Sequence, residues 1–419
     1  MNAPVATWLI AGLSILGVIA RPFGWPEAIW AVAGAAALVA LALLPPADAL
    51  AGVAKGTDVY LFLTGMMLLS ELARKEGLFD WAAARATAAA KGSATRLFAL
   101  IYGVGAIVTI FLSNDATAVV LTPAVYAAAK TAKVQQPLPY LFICAFIANA
   151  ASFVLPISNP ANLVVFGGGH MPPLLDWLKM FAAPSLASIG VTFLVLRLTQ
   201  GRALSTEKVE ADVAQTPLTI GGEIAGLGLL VTAAALIGAS AAGIDLGLPT
   251  LIAGLGTGVV ILAVTRENPL DVLRGVSWSV LPLVAGLFVL VEALDRTGVI
   301  GLLAQTLKQA AAASPKLAAA GAGVLVAFAS NLVNNLPSGL IAGDAVQAAH
   351  APGAVAGAIL IGVDLGPNLS VTGSLATILW LTALRREGET VTTWRFLRLG
   401  ALVMTPAFLA AIGTLLAVG

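Results

Sequence analysis

Charged side chains are scarce in this 419-residue sequence: they make up 10% of it, against 59% hydrophobic residues and a mean hydropathy of +0.96. Soluble domains carry about 25% charged residues, so a soluble globular fold is excluded. Cysteine is limited to Cys144, which rules out an internal disulfide and any site built from several thiolates. It reads as a small apolar packing residue. There are only two histidines, His170 and His350, both placed in loops. With no cluster of metal ligands and no nucleophile beside a base, neither an enzyme nor a bound metal or cofactor is expected. A net charge of +1 provides no basic face for nucleic acid. No basic residue precedes the apolar run from Met1 to Ala20, so that run reads as a retained helix rather than a signal peptide. Strands of alternating polarity are missing too, which argues against a membrane barrel.

What the chain has in abundance is apolar segments long enough to span a bilayer, about 20 residues each. The expectation is an all-α polytopic membrane protein. Two polar interruptions organise it, Leu112-Ser113-Asn114-Asp115-Ala116-Thr117 and Leu332-Val333-Asn334-Asn335-Leu336-Pro337-Ser338. Each sits inside an apolar stretch of 33 residues, 97–129 and 317–349. As one helix such a stretch would reach roughly 50 Å, too long for a core of about 30 Å. Each is therefore read as a re-entrant helical hairpin with the polar residues at its tip. Two further apolar segments are broken in their middles: 138–166, by Asn149, Ser152, Pro156, Ser158, Asn159, Pro160 and Asn162, and 354–384, by Asp364, Gly366, Pro367, Asn368, Thr372, Gly373 and Ser374. Unwound backbone is tolerated in a membrane only where protein or a cavity satisfies it.

The order of span, hairpin, broken helix and span thus occurs twice. Gly65, Glu71 and Gly77 of the first copy correspond to Gly286, Glu292 and Gly298 of the second. The division is 1–57, N-terminal helices; 58–198, first repeat; 199–217, a polar cytoplasmic linker; 218–276, linking helices; 277–419, second repeat. The stretch from Glu71 to Arg96 reads as a charged loop. Placing it inside, with both hairpins folded back, leaves only Lys55, Lys179, Arg296, Lys308 and Lys316 of the 22 basic residues outside. That bias fits the positive-inside rule. It puts both termini outside and makes the repeats inverted, the mark of a secondary transporter.

The tip Phe111 to Pro123 resembles the hairpin motif of arsenite efflux pumps of the ArsB family. The stretch from Ala148 to Leu163, with Pro156-Ile157-Ser158-Asn159-Pro160-Ala161-Asn162 at its centre, is the more specific match. The likeness extends to Asn334-Asn335-Leu336-Pro337 and Thr372-Gly373-Ser374-Leu375-Ala376, and so to most of the chain. It implies the inverted-repeat fold of the wider ion transporter superfamily, which also holds sodium/proton antiporters and dicarboxylate carriers. It further implies export of arsenite or antimonite across a bacterial inner membrane, driven by protons, and thus arsenic resistance. Some members pair with a soluble ATPase subunit, and superfamily relatives suggest a homodimer.

The residues suit such a substrate. Trivalent arsenic at neutral pH is mostly an uncharged triol, which calls for hydrogen-bond donors and acceptors. The candidates are Ser113, Asn114, Thr117, Ser158, Asn159, Asn162, Asn334, Asn335, Ser338, Thr372 and Ser374, whose amides and hydroxyls supply both. No Lys or Arg falls in the four polar stretches, which counts against a dicarboxylate. Asp115 and Asp364 are the candidates for proton coupling, since ionisable groups at membrane depth are costly and face a pathway. Asp115 is matched with Asn335 in the second repeat; its structural alternative is to cap the helix starting at Ala116. Glu71 and Glu292 read as interfacial, and Asp58 and Asp344 as structural. The glycines from Gly167 form a loop rather than a phosphate cradle, and Gly222 with Gly226 fits close helix packing. A sodium/proton antiporter, with Asp115 and nearby oxygens as cation ligands, is the second reading. An uncoupled channel for neutral solutes is the third.

Overall fold

The computed structural model describes residues 2–166, 171–210 and 217–418. His170, the glycines at 167–169 and the linker residues 211–216 lie outside the described residues. Among the described residues the regular structure is helical. Among these residues seven helices are long and apolar enough to cross a membrane, and a pair bent by 42° adds an eighth. The chain is a multi-pass membrane protein.

The first helices are α1 (Ala3–Ala20), α2 (Glu27–Ala40), α3 (Pro46–Lys55), α4 (Thr57–Lys75) and α5 (Leu78–Ala89). The stretch read as a charged loop from Glu71 to Arg96 is therefore mostly helical. Its charges lie at helix ends and on one face, while Phe79, Ala83, Ala86 and Thr87 are buried. Gly77 turns the chain from α4 into α5 at φ +74°, and Gly298 does the same in the second half at φ +84°.

The first hairpin is α6 (Ala94–Phe111) followed by α7 (Asn114–Ala116), which runs through a π-wound turn (Thr117–Leu121) into α8 (Thr122–Thr131). The hydroxyls of Thr109 and Thr117 meet at 2.8 Å. In a straight helix residues eight apart are roughly 12 Å apart, so the chain turns back between them. The first broken helix is α9 (Leu138–Ala150) and α10 (Pro160–Phe166), and α11 (Leu174–Thr199) with the short α12 (Gly201–Thr206) closes this half.

The second half holds α13 (Ile220–Ala241), α14 (Gly247–Thr265), the bent pair α15 (Pro269–Gly275) and α16 (Val280–Arg296), and α17 (Val299–Ala313). The second hairpin is α18 (Pro315–Val333) with α19 (Asn335–Ala349). The second broken helix is α20 (Gly353–Leu365) with α21 (Leu375–Arg386), and α22 (Thr393–Val418) completes the fold. Hairpin and broken helix thus occur twice, as expected.

The two inner limbs, α9 and α20, form the core. From Pro139 to Ala150 and from Val355 to Leu365 every residue is buried. Their sequences are apolar on all sides, which is how a fully enclosed helix reads. Trp380 donates its indole N–H to Leu141 O at 2.9 Å, and Phe146 stacks on Phe396 at 5.2 Å. Hairpin limb α18 lies so close to α20 that a Cβ on Gly362 would meet the Gly323 carbonyl. Small residues at such crossings let membrane helices approach.

Candidate functional site

Each hairpin tip and each break starts a new half-helix, and a polar side chain caps each start. Ser113 Oγ accepts from Ala116 N at 3.2 Å, Asn159 Oδ1 from Ala161 N at 3.0 Å, Asn334 Oδ1 from Leu336 N at 3.4 Å, and Ser374 Oγ from Thr377 N at 3.1 Å. With these caps in place, the backbone N–H groups of Asn114, Leu375 and Ala376 have no partner among the described residues, whereas in α10 and α19 Pro160 and Pro337 bring no N–H and the other first-turn groups are bonded. The capping residues also fix the correspondence between repeats. Ser113 and Asn334 play the same part, so Asn114 corresponds to Asn335 and Asp115 to Leu336. The match of Asp115 with Asn335 is off by one residue, because it does not bring the two caps, Ser113 and Asn334, into register. Asp115 is not the cap of its helix; Ser113 is.

The four half-helix starts converge. A cavity of about 320 Å³ including its mouth is lined by Asn114 and Asp115, Asn159 and Pro160, Asn335 and Leu336, and Leu375 and Ala376. Leu63 of α4 and Val280 and Val284 of α16 close it with an apolar wall. Asn114 and Asn335 are each 3% exposed. Asn114 Oδ1 accepts from Asp115 N at 2.9 Å. Among the described residues, the Asn114 amide N–H₂, the Asn335 side chain and the Asp115 carboxyl have no hydrogen-bond partner. They are therefore available to a ligand.

The other candidates stand behind this lining. Asp364, fully buried, accepts from Ser152 Oγ and from Asn159 Nδ2, each at 2.8 Å. It thus holds Asn159 from the opposite repeat. Ser158 Oγ donates to Ile110 O at 2.8 Å, and Asn162 Nδ2 to the carbonyls of Ser152, Leu155 and Pro156 at 2.9–3.3 Å. These bonds satisfy the unwound backbone of the first break. Asn334 Nδ2 donates to Thr372 O at 3.3 Å and Asn335 N to Gly373 O at 3.0 Å, which ties the second tip to the second break. Thr372 Oγ1 donates to Asn331 O at 3.0 Å, and Thr117 is paired with Thr109. Ser338 stands apart: it lines an apolar hollow between α17, α18 and α19.

Two groups of polar residues lie outside the predicted set. Asn331, which donates to Gly366 O at 2.9 Å and accepts from Ser370 Oγ at 2.7 Å, braces the second break. Asn149 Nδ2 donates to Asn368 Oδ1 at 3.0 Å, joining the repeats across the core. An asparagine three residues before a tip is the signal that would have found Asn331.

A second cavity lies further along α4, α10, α16 and α19, which also line the first. It is lined by Asp58 and Val59 of α4, Phe288, Val291 and Glu292 of α16, Leu163 and Val164 of α10, and Leu340 and Asp344 of α19, with Lys55 at its rim. Lys55 Nζ lies 2.6 Å from Glu292 Oε2, and that hydrogen bond holds the ammonium above its ordinary pKa. Asp58 Oδ1 accepts from Gly247 N at 2.7 Å, a structural contact as expected. Glu292 also faces Arg296 at 3.5 Å.

A broken-helix cavity of this kind, with its ends facing one point, is how secondary transporters hold substrate. A family profile described as "Citrate transporter" matches residues 13–384. The chain belongs to that family. It is 30% identical over 366 residues to the arsenical pump membrane protein of Yersinia enterocolitica, covering 84% of each chain. It is 28% identical over 369 residues to that of Escherichia coli K12, again 84% of each. An uncharacterised transporter of Mycobacterium tuberculosis matches at 28% over 401 residues, 91% of each. Among solved structures, the Alcanivorax borkumensis YdaH transporter, described as having an unusual topology, aligns with a TM-score of 0.58 at 16% identity. It covers 88% of this chain and is covered over 86% of its own, and so shares the fold. The resemblance read from the motifs is thereby upheld: this is a membrane transporter related to the arsenical pumps, and not an enzyme. None of these relatives is named a sodium/proton antiporter.

Proposed function

We propose that this transporter exports arsenite, and antimonite with it, across the inner membrane of a bacterium in exchange for protons, and so confers arsenic resistance. The observation that carries the reading is the lining of the central cavity: three asparagines and one carboxyl at half-helix ends, with no Lys or Arg. A neutral triol finds donors and acceptors there, whereas a citrate-like anion finds no cationic side chain. The arsenical pump relatives support the same substrate class.

Asp115 is the coupling group of this reading. Its carboxyl faces the cavity and has no partner among the described residues, so it is free to exchange a proton as substrate enters and leaves. Asp364, held by Ser152 and Asn159, is the positioning group behind it. The charge bias that puts both termini outside sets the second cavity, with Lys55 at its rim, on the periplasmic side, and makes the two repeats inverted.

The test uses everted vesicles energised by respiration. Arsenite is expected to accumulate against its gradient, and a proton ionophore is expected to abolish the accumulation. No uptake, with proton flux on addition of Na⁺ instead, would make the arsenite reading wrong.

A further inference from the structure

Resting on the reading of the cavity as the arsenite site, we infer that Asp115 sets its charge selectivity. The carboxylate admits an uncharged hydroxide that can donate O–H groups, and turns away oxyanions that the surrounding helix ends would otherwise hold.

The helix ends are a ready anion site. α19, of 15 residues, and α21, of 12, begin at the cavity, as does the helical run from Asn114 through Thr131. A helix N-terminus carries a partial positive charge of about one half, to which anions are drawn; the N–H groups of Asn114, Leu375 and Ala376 have no partner among the described residues, while those of α19 are taken up by Asn334 and Gly373. That a ligand binds at this point is indicated independently by Asn335. The residue is 3% exposed and lines the cavity, and its side chain has no hydrogen-bond partner among the described residues. Buried amides are nearly always paired, so the ligand is the partner this one lacks.

Asp115 is the one ionisable side chain lining the cavity among the described residues. Asp364 lies beyond Asn159 and does not reach the lining. An ionised carboxylate only accepts hydrogen bonds. Against it an oxyanion brings negative charge and more acceptors, and repulsion is strong where water is largely excluded. The neutral triol brings O–H donors for the carboxylate and lone pairs for the asparagine amides and helix N–H groups. When Asp115 takes a proton, a carboxylate oxygen gains it as its O–H···O contact with the triol breaks. No bond within the substrate changes. Proton and arsenite therefore compete for one group.

The experiment measures thermal stabilisation of the purified full chain in detergent by arsenite, citrate and inorganic phosphate, added separately to wild type, Asp115→Asn and Asp115→Glu. Wild type and Asp115→Glu are expected to respond to arsenite and to neither anion. Asp115→Asn is expected to bind citrate or phosphate about tenfold or more tighter than wild type does, a change of 1.4 kcal/mol or above. Asp115→Thr repeats the arm if the asparagine variant does not elute as a folded species. Wild type stabilised equally by the anions, or folded Asp115→Asn and Asp115→Thr that respond to neither anion, would overturn the inference. A wild type silent to arsenite, beside an Asp115→Asn variant that gains anion binding, would refute the proposed substrate and leave the charge role standing.

Discussion

Replacing Asp364 by alanine and by asparagine separates its packing from its charge, and the hydrogen bonds set the size of each effect. Ser152 Oγ and Asn159 Nδ2 both donate to the carboxylate at 2.8 Å. In Asp364→Ala both acceptors vanish. Ser152 keeps another, the Asn149 carbonyl at 2.8 Å, so only the Asn159 amide is orphaned. An orphaned buried donor costs about 1–3 kcal/mol, and the emptied space adds about 1 kcal/mol. Hydrogen bonds between membrane helices are worth roughly 0.6–1.7 kcal/mol, which pulls the sum down. The expected loss is about 2 kcal/mol. In Asp364→Asn the new amide can turn its oxygen to Asn159 and its N–H₂ to Ser152 Oγ, while Ser152 donates to Asn149 O. Every polar atom then has a partner, and the expected loss is under about 1 kcal/mol. Reversible unfolding in mixed micelles, followed by loss of helical circular dichroism, measures both. Equal losses for the two variants, or none for alanine, would refute the reasoning.

Asp115→Asn is expected to leave the fold intact and to end ionophore-sensitive accumulation of arsenite in vesicles; accumulation at the wild-type level would remove Asp115 from coupling. Gly362→Val drives a side chain into the Gly323 carbonyl and is expected to cost about 1–3 kcal/mol or more, read as a lowered melting temperature; an unchanged one would deny the close crossing. Lys55→Cys at the rim of the second cavity, where the side chain is exposed, is expected to react with a membrane-impermeant maleimide from the periplasmic side, while the buried Cys144 stays silent. Labelling from the cytoplasmic side alone would reverse the assigned orientation. Val284→Lys places an ammonium in the cavity that holds Asp115 and is expected to abolish transport in a folded protein by pairing with that carboxylate. Adding Asp115→Asn leaves the ammonium unpaired and should cost about 3–5 kcal/mol relative to the single variant; equal stability of the two proteins would show that no pair forms.

The hairpins and breaks were legible because an apolar run interrupted by adjacent Asn, Ser, Asp and Pro has few solutions in a membrane. Asn114, Asp115, Asn159 and Asn335 reach the cavity for that reason. Other parts depend on geometry that a string of residues does not carry. The one-residue error in pairing Asp115 with Asn335 arose because Ser and Asn cap equally well, and only the capped N–H identifies which residue precedes the helix. Ser338 reads as polar beside Asn335, yet it lies a turn further along α19, against the apolar hollow behind the hairpin. α5 was hidden because Asp80, Arg85 and a run of alanines look like a loop between spans until one face is seen to be buried. The walls Leu63, Val280 and Val284 bear no mark at all, since apolar residues in apolar helices are everywhere in this chain.

Those walls nevertheless decide how the polar groups act. Contacts that brace the half-helix ends come largely from the hairpins and broken helices themselves: Ser158 to Ile110, Asn159 to Asp364, and Asn334 and Asn335 to the turn at Thr372 and Gly373. α4 and α16 meet the same cavity with Leu63, Val280 and Val284, side chains that neither donate nor accept. A face of this kind excludes water without competing for the ligand. In the drier space the fields of the helix ends and of Asp115 are screened less than they would be in water. In the proposed mechanism that carboxyl acts on both which solute enters and when it leaves. Further along the same helices the residues turn charged, with Lys55 on Glu292 and Asp344 in the same cavity lining. Along α4 and α16 the lining thus changes from apolar at Leu63, Val280 and Val284 to charged at Asp58 and Glu292.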